Sequence, residues 1–401
     1  MTRRRPDWGR PPWTIDFRPK KRSLPSEVDY AIVGGGFTGL ATAAWLRHLE
    51  PKKSVAVFEA RRIGAGSSGH TGGIALGETA AGDLPGLGDV LGGLPRILRT
   101  LRVECDFETG GAYELAHLPG LKHSPIKWAD GGELRVAKQV PGGSVNPGKL
   151  VSGLGRAAER LGARIFENAR VETINFNRPV ELVVRDSERF SSGRGPEPFG
   201  SGRGRAIRAQ RALVATNAMS LELSGLAGRA GPQTIRFGAE PKFTLALATQ
   251  PLTTAQLNAL GLGMRRPFYT VDLPYLWGRV LPTNRVIFGS GLVHLNNWRG
   301  LEGISIGEGE AGELVRRLKE RVRGLAPALR EVEFSHTWGG PMLIGEGWKP
   351  VFRRHAQSRD VLVLGAYSGH GVALSVYLGR WAAEAMLGRK KLPPWSACAK
   401  Q

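Results

Sequence analysis

Cysteine is nearly absent from this chain: Cys105 and Cys398 are all it has. Two thiols cannot build a disulfide framework, and neither stands at a metal-ligand spacing. The expectation is a reducing compartment, the cytoplasm, and no metal. Long apolar runs are missing too. No stretch approaches the roughly eighteen residues of a membrane-crossing helix. The arginines of "MTRRRPDWGRPPW" are followed by prolines and tryptophans where a secretory signal needs an apolar segment. Acids are outnumbered, 35 against 56 Lys and Arg, for a net charge of +21. That balance favours acidic ligands or surfaces. Nucleic acid is not an expected partner, because no zinc-finger, RNA-recognition or helix-turn-helix signature accompanies the charge.

What is present is a large apolar fraction, 41% of 401 residues, enough for two or three domains or one interleaved two-domain enzyme. Residues 1–26 are basic and proline-rich and read as an extended arm, a candidate for peripheral membrane contact. "VDYAIVGGGFTGLATAAWLRHL" reads as strand, glycine turn and helix, and "SVAVFEA" as a second strand, together a βαβ unit. "NPGKLVSGLGRAAERLGARIFENARV" reads as a helix capped by Asn146 with Pro147 in its first turn, ended by Gly162 before a strand. "ELVVRD" and "RAIRAQRALVAT" read as strands around a low-complexity tip, "SERFSSGRGPEPFGSGRGR". Residues 240–295 alternate short strands and turns, and a charged helix follows. "VLVLGAYSGHGVALSVYLGRWAAEAML" repeats the strand, glycine turn and helix order.

Gly34, Gly36 and Gly39 form G-x-G-x-x-G directly after a strand and at a helix start. The first allows the tight turn, the second lets backbone approach a pyrophosphate, and the third permits close helix–strand packing. Phe37 and Thr38 lie at the helix N-terminus, whose N–H groups face phosphate. Glu59, twenty residues past Gly39 at the end of the second strand, is the carboxylate expected on ribose hydroxyls. Together they signal a dinucleotide.

The stretch "ARRIGAGSSGHTGG" after Glu59 resembles the second fingerprint of the D-amino-acid-oxidase-like (DAO) family of flavoenzymes. "VNPGKLVSGLGRAAERLGARIFENARV", "ALVATNA", "WGRVLPTNRVIFGSG", "HTWGGPM" and "LGAYSGHGVALSVYLGRWAAEAML" resemble later segments of that family, so the likeness spans about residues 28–388. Within it, gamma-glutamylputrescine oxidoreductases and glycine and sarcosine oxidases look most similar. The resemblance implies FAD, carried by an α/β fold: a Rossmann-type, glutathione-reductase-like FAD-binding domain interleaved with an antiparallel β-sheet substrate domain. It divides the chain into the arm 1–26, cofactor pieces 27–104, 145–220 and 335–401, and substrate pieces 105–144 and 221–334. It implies oxidation of the C–N bond of an amino acid or amine, with oxygen or a redox carrier as electron acceptor.

The same resemblance implies roles for residues. Ala60, Arg61, Ser67, Ser68, His70, Thr71 and Gly73 belong to the loop over the pyrophosphate and flavin, with the Ser67 and Ser68 hydroxyls donating to phosphate. Val171 meets the adenine, and Ala215 closes the cofactor domain. Gly369, His370, Gly371 and Val372 present N–H groups to the flavin pyrimidine edge, where reduced flavin carries negative charge. Arg279 is the candidate for a substrate carboxylate, with Tyr275 and Tyr269 behind it and His370 nearby. Trp277 and Trp338 read as cavity wall or core, and His336 as flavin neighbour or structural histidine. Lys242 and Lys349 are candidates for a lysine beside the flavin.

Two departures stand out. "GGPMLIGEGWKPVF" lacks the "TPDGLPVIG" run usual in relatives, which puts turnover in question and leaves a flavoprotein of interaction role as an alternative. His70 stands where the commonest pattern has arginine. "GHTGGI" also resembles the "WHAAGL" stretch of dimethylglycine and sarcosine dehydrogenases, in which histidine bonds the flavin covalently. His70 is therefore either a hydrogen-bonding neighbour or a covalent anchor.

Overall fold

A computed structural model describes residues 6–117, 121–186, 204–222, 224–226, 232–234, 238–272, 274–295 and 300–396. The expected low-complexity tip lies almost wholly outside the described residues, as does Cys398.

At the centre, five strands run parallel in the order Ser358–Gly365, Arg205–Val214, Glu27–Val33, Val55–Phe58, Arg164–Phe166. Their apolar runs suit strands covered on both faces: Ala31, Ile32, Ala56, Val57, Leu213 and Leu364 have no measurable exposure. Helices Phe37–Leu49, Pro147–Arg160 and Gly371–Met386 pack together on this sheet. The middle helix begins as its sequence demands, with the Asn146 side chain accepting from the Lys149 N–H at 3.2 Å and Pro147 in the first turn. The Arg205–Val214 strand forks the sheet. Its second half pairs in parallel with Ser358–Gly365, and its first half antiparallel with Val180–Asp186, which continues to Ala169–Asn175.

A second sheet has eight strands in the order Phe334–Gly345, Ala239–Thr249, Val286–His294, Leu276–Val280, Phe268–Thr270, Ala112–Ala116, Glu133–Val140, Lys127–Ala129. It corrects the expectation of an antiparallel sheet in one place. Phe268–Thr270 runs parallel to Ala112–Ala116, because two chain segments far apart in sequence are joined there. The expected boundary at 334/335 is also corrected. The "HTWGGPM" strand pairs along its length with Ala239–Thr249 and so belongs to this sheet. Conversely, Ser224–Leu226 and Pro232–Thr234 join the first sheet, beyond the boundary expected at 220.

The N-terminal segment is the largest correction. It is extended, as expected, but it is a strap bound to the body. Trp8 and Phe17 are buried. The Asp7 N–H donates to the Ile304 carbonyl and its own carbonyl accepts from Ile306, both at 3.0 Å. The Trp8 carbonyl accepts from the Gly339 N–H at 2.8 Å, and the Trp8 indole donates to the Leu301 carbonyl at 3.2 Å. Trp13 donates its indole N–H to the Gly69 carbonyl at 2.8 Å. Further on, the Asp16 N–H donates to Ser152 and its carboxylate pairs with Arg156 at 2.9 Å. The aromatic residues carry this outcome: basic and proline-rich composition reads as a solvated arm, but Trp8, Trp13 and Phe17 need cover.

The strap is therefore expected to hold the flavin-side loop. Trp8→Ala should lower stability by about 3 kcal/mol or more, the half-buried Trp13→Ala by less, and removal of residues 1–17 should weaken cofactor retention. Thermal unfolding with and without added FAD, with flavin absorbance per protein, checks both.

Candidate functional site

A single cavity of about 1200 Å³ runs between the two sheets. That is larger than the roughly 300–1,000 Å³ usual for one small ligand, and accommodates a dinucleotide together with a substrate. One end is built by the G-x-G-x-x-G turn. Gly34 has φ +109°, and a Cβ there would lie 2.7 Å from the Ala215 carbonyl oxygen. A Cβ at Gly39 would lie 2.0 Å from the Gly34 carbonyl oxygen, so this glycine permits packing and does not line the cavity. Gly36 caps the Phe37–Leu49 helix without a side-chain bond, and apart from the Phe37 N–H, which Ser68 takes, the N–H groups at the helix start are available to an anion. The Glu59 carboxylate accepts from the Gly35 and Arg61 N–H groups, both at 2.8 Å. Burial pushes its pKa up, opposed by those two N–H groups and by the Arg61 charge.

The second glycine loop covers this turn. Ser68 Oγ accepts from the Phe37 N–H at 3.0 Å, which leaves its proton free to donate into the cavity. Ser67 does not: its hydroxyl donates to the Pro341 carbonyl at 2.6 Å, a correction to the expected pair of phosphate donors. His70 Nδ1 lies 2.9 Å from the Gly66 carbonyl, its ring stands edge-on to Trp8, and its carbonyl accepts from Trp338 at 2.9 Å. Burial lowers the His70 pKa, which keeps the imidazole neutral. Gly73 has φ +79° and lies behind the lining, a Cβ there meeting the Val145 carbonyl at 2.4 Å. Ala60, Arg61, Thr71, Val171 and Ala215 all line the cavity.

At the other end, Gly369, His370, Gly371 and Val372 line the cavity at the start of the Gly371–Met386 helix, again without a side-chain cap. Burial lowers the His370 pKa. Tyr269, Tyr275 and Trp277 line the floor. Arg279, the expected carboxylate ligand, does not. It is buried, its Nε donates to the Gly72 carbonyl at 2.6 Å and its Nη2 to the Val145 carbonyl at 2.8 Å. Burial lowers its pKa to about 10. Its strand position turns the guanidinium under the glycine loop, so it fixes backbone instead of meeting substrate. Trp338 is core. Neither Lys242 nor Lys349 lines the cavity: Lys242 lies 3.0 Å from Glu240 and from His294 Nδ1. His336 hydrogen-bonds its neighbour Ser335 at 2.8 Å, away from the lining.

Sequence reasoning missed Asn217. Its amide donates to Ser67 at 3.1 Å and accepts from the Ala366 N–H at 2.9 Å, tying the loop to the last parallel strand. An asparagine directly after the "ALVAT" strand was the available signal, since Asn tolerates the positive φ of 49° found there. It missed Tyr367 as well, whose hydroxyl meets Thr38 Oγ1 at 2.7 Å.

The residues fit FAD: bare backbone for a pyrophosphate, a carboxylate at the ribose position, and a second helix N-terminus beyond. These features define a flavin-dependent oxidoreductase. The sequence profile of the FAD dependent oxidoreductase (DAO) family matches residues 29–385, and the chain belongs to that family. It is similar to gamma-glutamylputrescine oxidoreductase of Escherichia coli (strain K12), 26% identical over 90% of this chain and 84% of that protein. A probable oxidoreductase OrdL of Haemophilus influenzae is 25% identical over 93% and 86%. Among solved structures, glycine oxidase from Geobacillus kaustophilus superposes with TM-score 0.67 at 20% identity, covering 94% of this chain and all of that one. L-proline dehydrogenase from P. horikoshii gives 0.66 at 17%, covering 93% and 97%. Among the described residues, no helix is long and apolar enough to cross a membrane, and no group of side chains is arranged to hold a metal.

Arg279→Met should leave two buried carbonyls without donors, at about 1–3 kcal/mol each. The expected result is a lower Tm and easier flavin loss, with KM of the flavin-loaded fraction unchanged. A raised KM at unchanged Tm would restore Arg279 to the substrate.

Proposed function

We propose that this enzyme oxidises the C–N bond of an amine or amino acid, giving an imine that hydrolyses in water. Bound FAD supplies the hydride acceptor. The observation that carries the reading is the continuity of the cavity, from the dinucleotide turn at Gly34 to a floor of Tyr269, Tyr275 and Trp277. The parallel unit is read as a Rossmann-type, glutathione-reductase-like cofactor domain, and the eight-stranded sheet as the substrate domain.

In this reading Glu59 holds ribose, Ser68 and the helix N–H groups beyond Phe37 hold phosphate, and Val171 contacts the adenine. Gly369, Gly371 and Val372 face the flavin pyrimidine edge, where their N–H groups favour the negative charge of the reduced state; the His370 N–H, expected among them, is instead donated to the Tyr367 carbonyl at 2.9 Å. Tyr275 and Trp277 wall the substrate and exclude water. His70 holds the flavin loop without a covalent bond, its Nδ1 engaged by Gly66 and its ring by Trp8. The electron acceptor is oxygen or a redox carrier. The exposed Arg10, Lys20 and Arg22 of the strap offer an acidic carrier, or an anionic membrane surface, a place to dock.

Acid precipitation of the purified yellow protein should leave FAD in the supernatant. Colour retained in the pellet, and released by His70→Ala, would make His70 a covalent anchor. Anaerobic mixing with amines should bleach the flavin. Bleaching by dithionite alone would reduce the protein to a flavin carrier without turnover.

A further inference from the structure

The floor of the substrate end changes character from one side to the other. Gly289, Trp277, Tyr269, Glu114 and Lys138 are direct partners on consecutive strands and therefore share one face of the sheet. The row is aromatic beside the flavin loop, where a Cβ on Gly72 would lie 2.2 Å from the Trp277 ring. Two strands on, about 10 Å away at ordinary strand spacing, it becomes acidic. The Tyr269 hydroxyl donates to Glu114 Oε2 at 3.3 Å and also interacts with Glu78. Glu114 is half matched by the exposed Lys138 at 3.2 Å. Glu78 has no salt-bridge partner among the described residues. All four side chains line the cavity, so this end carries one net negative charge.

Apart from Lys138, already paired with Glu114, the cations that would receive a substrate carboxylate are placed elsewhere. Arg279 is spent on the Gly72 and Val145 carbonyls. Arg61 follows the ribose carboxylate Glu59, and Arg170 precedes the adenine-side Val171. An anionic substrate end would face Glu78 and Glu114 across a partly enclosed space. A neutral end would leave Glu78 unpaired, whereas an ammonium donates to both carboxylates.

Building on the amine-oxidising reading, we infer that the substrate carries a second positive charge at its far, non-reacting end, a diamine or a longer polyamine, held by Glu78 and Glu114. Tyr269 is the positioning residue: its proton fixes the orientation of the Glu114 carboxylate. The amine to be oxidised then lies toward Trp277 and the flavin.

The test compares α,ω-diaminoalkanes, 1-aminoalkanes and ω-aminoalkanoates of matched chain length, from butane to octane, as anaerobic reductants of the flavin-loaded enzyme. The diamines are expected to exceed the monoamines by about tenfold in second-order rate, and the aminoalkanoates by more. Glu78→Gln and Glu114→Gln should collapse the ratio of diamine to monoamine, a ratio in which general damage cancels. Tyr269→Phe should lower it partway. Equal rates for all three classes, or a preference for aminoalkanoates, would overturn the inference while the amine reaction stood. If no amine bleaches the flavin, the amine reading falls and the charge preference is read from binding instead. Quenching of tryptophan fluorescence by the diamines, weakened about tenfold in Glu78→Gln, would support it. Equal quenching by all three classes, or none, would overturn it.

Discussion

Backbone meeting bare backbone at the end of the Glu27–Val33 strand is the constraint on which the rest of this site depends. The Gly34 carbonyl approaches Gly39 so closely that even a methyl group would collide with it, and Gly34 itself sits at a φ that other residues avoid. This approach seats the Phe37–Leu49 helix on its strand and leaves its start without a side-chain cap. It also brings the Gly35 N–H onto Glu59, fixing the carboxylate that closes the second strand. A side chain at either position would displace the helix start and the carboxylate together.

The second glycine loop meets the opposite difficulty. Backbone so rich in glycine has few side chains of its own to hold it, so it is held from outside. The Arg279 guanidinium takes the Gly72 carbonyl, Trp13 takes Gly69, Trp338 takes His70, and Asn217 takes Ser67. These four come from both sheets and from the strap. The interleaving of the chain therefore has a mechanical meaning: the loop forms its cradle only when segments distant in sequence have met around it. Charged-to-carbonyl bonds in a buried setting are worth more than exposed ones and cost more to lose.

The cofactor half of this arrangement was legible because its requirements are local. A glycine spacing, a strand before it and an acid twenty residues on are each readable from a short window, as was the Asn146 cap. The substrate half was not, because its geometry depends on register. Arg279 shares the sheet face of Trp277, two positions back; whether that face meets open cavity or the underside of the glycine loop changes along the strand and depends on how a segment about two hundred residues away packs on it. Its neighbours Trp277 and Tyr275 are in the lining and Arg279 is behind it. The strap failed for another reason. Its prolines and arginines describe a solvated chain, and only the spacing of Trp8, Trp13 and Phe17 against surfaces not visible in sequence makes it structural. Glu114 and Glu78 went unremarked because nothing in their local sequence joins them; a sheet register and a tyrosine do.

Global charge and local charge point in opposite directions in this molecule, and distance decides between them. The chain as a whole is strongly basic, which favours acidic partners at long range. Beyond a Debye length of about 8 Å, however, exposed lysines and arginines contribute little at physiological salt. A cation about 4 Å from a carboxylate gains on the order of 4 kcal/mol at an effective dielectric near 20. The two glutamates at the end of the floor therefore outweigh a diffuse positive surface for any ligand that reaches them. The surface selects what approaches the protein, and the row from Trp277 to Glu114 selects what is oriented inside it. A basic exterior and an acidic inner end are thus compatible in one molecule, because each acts over its own range.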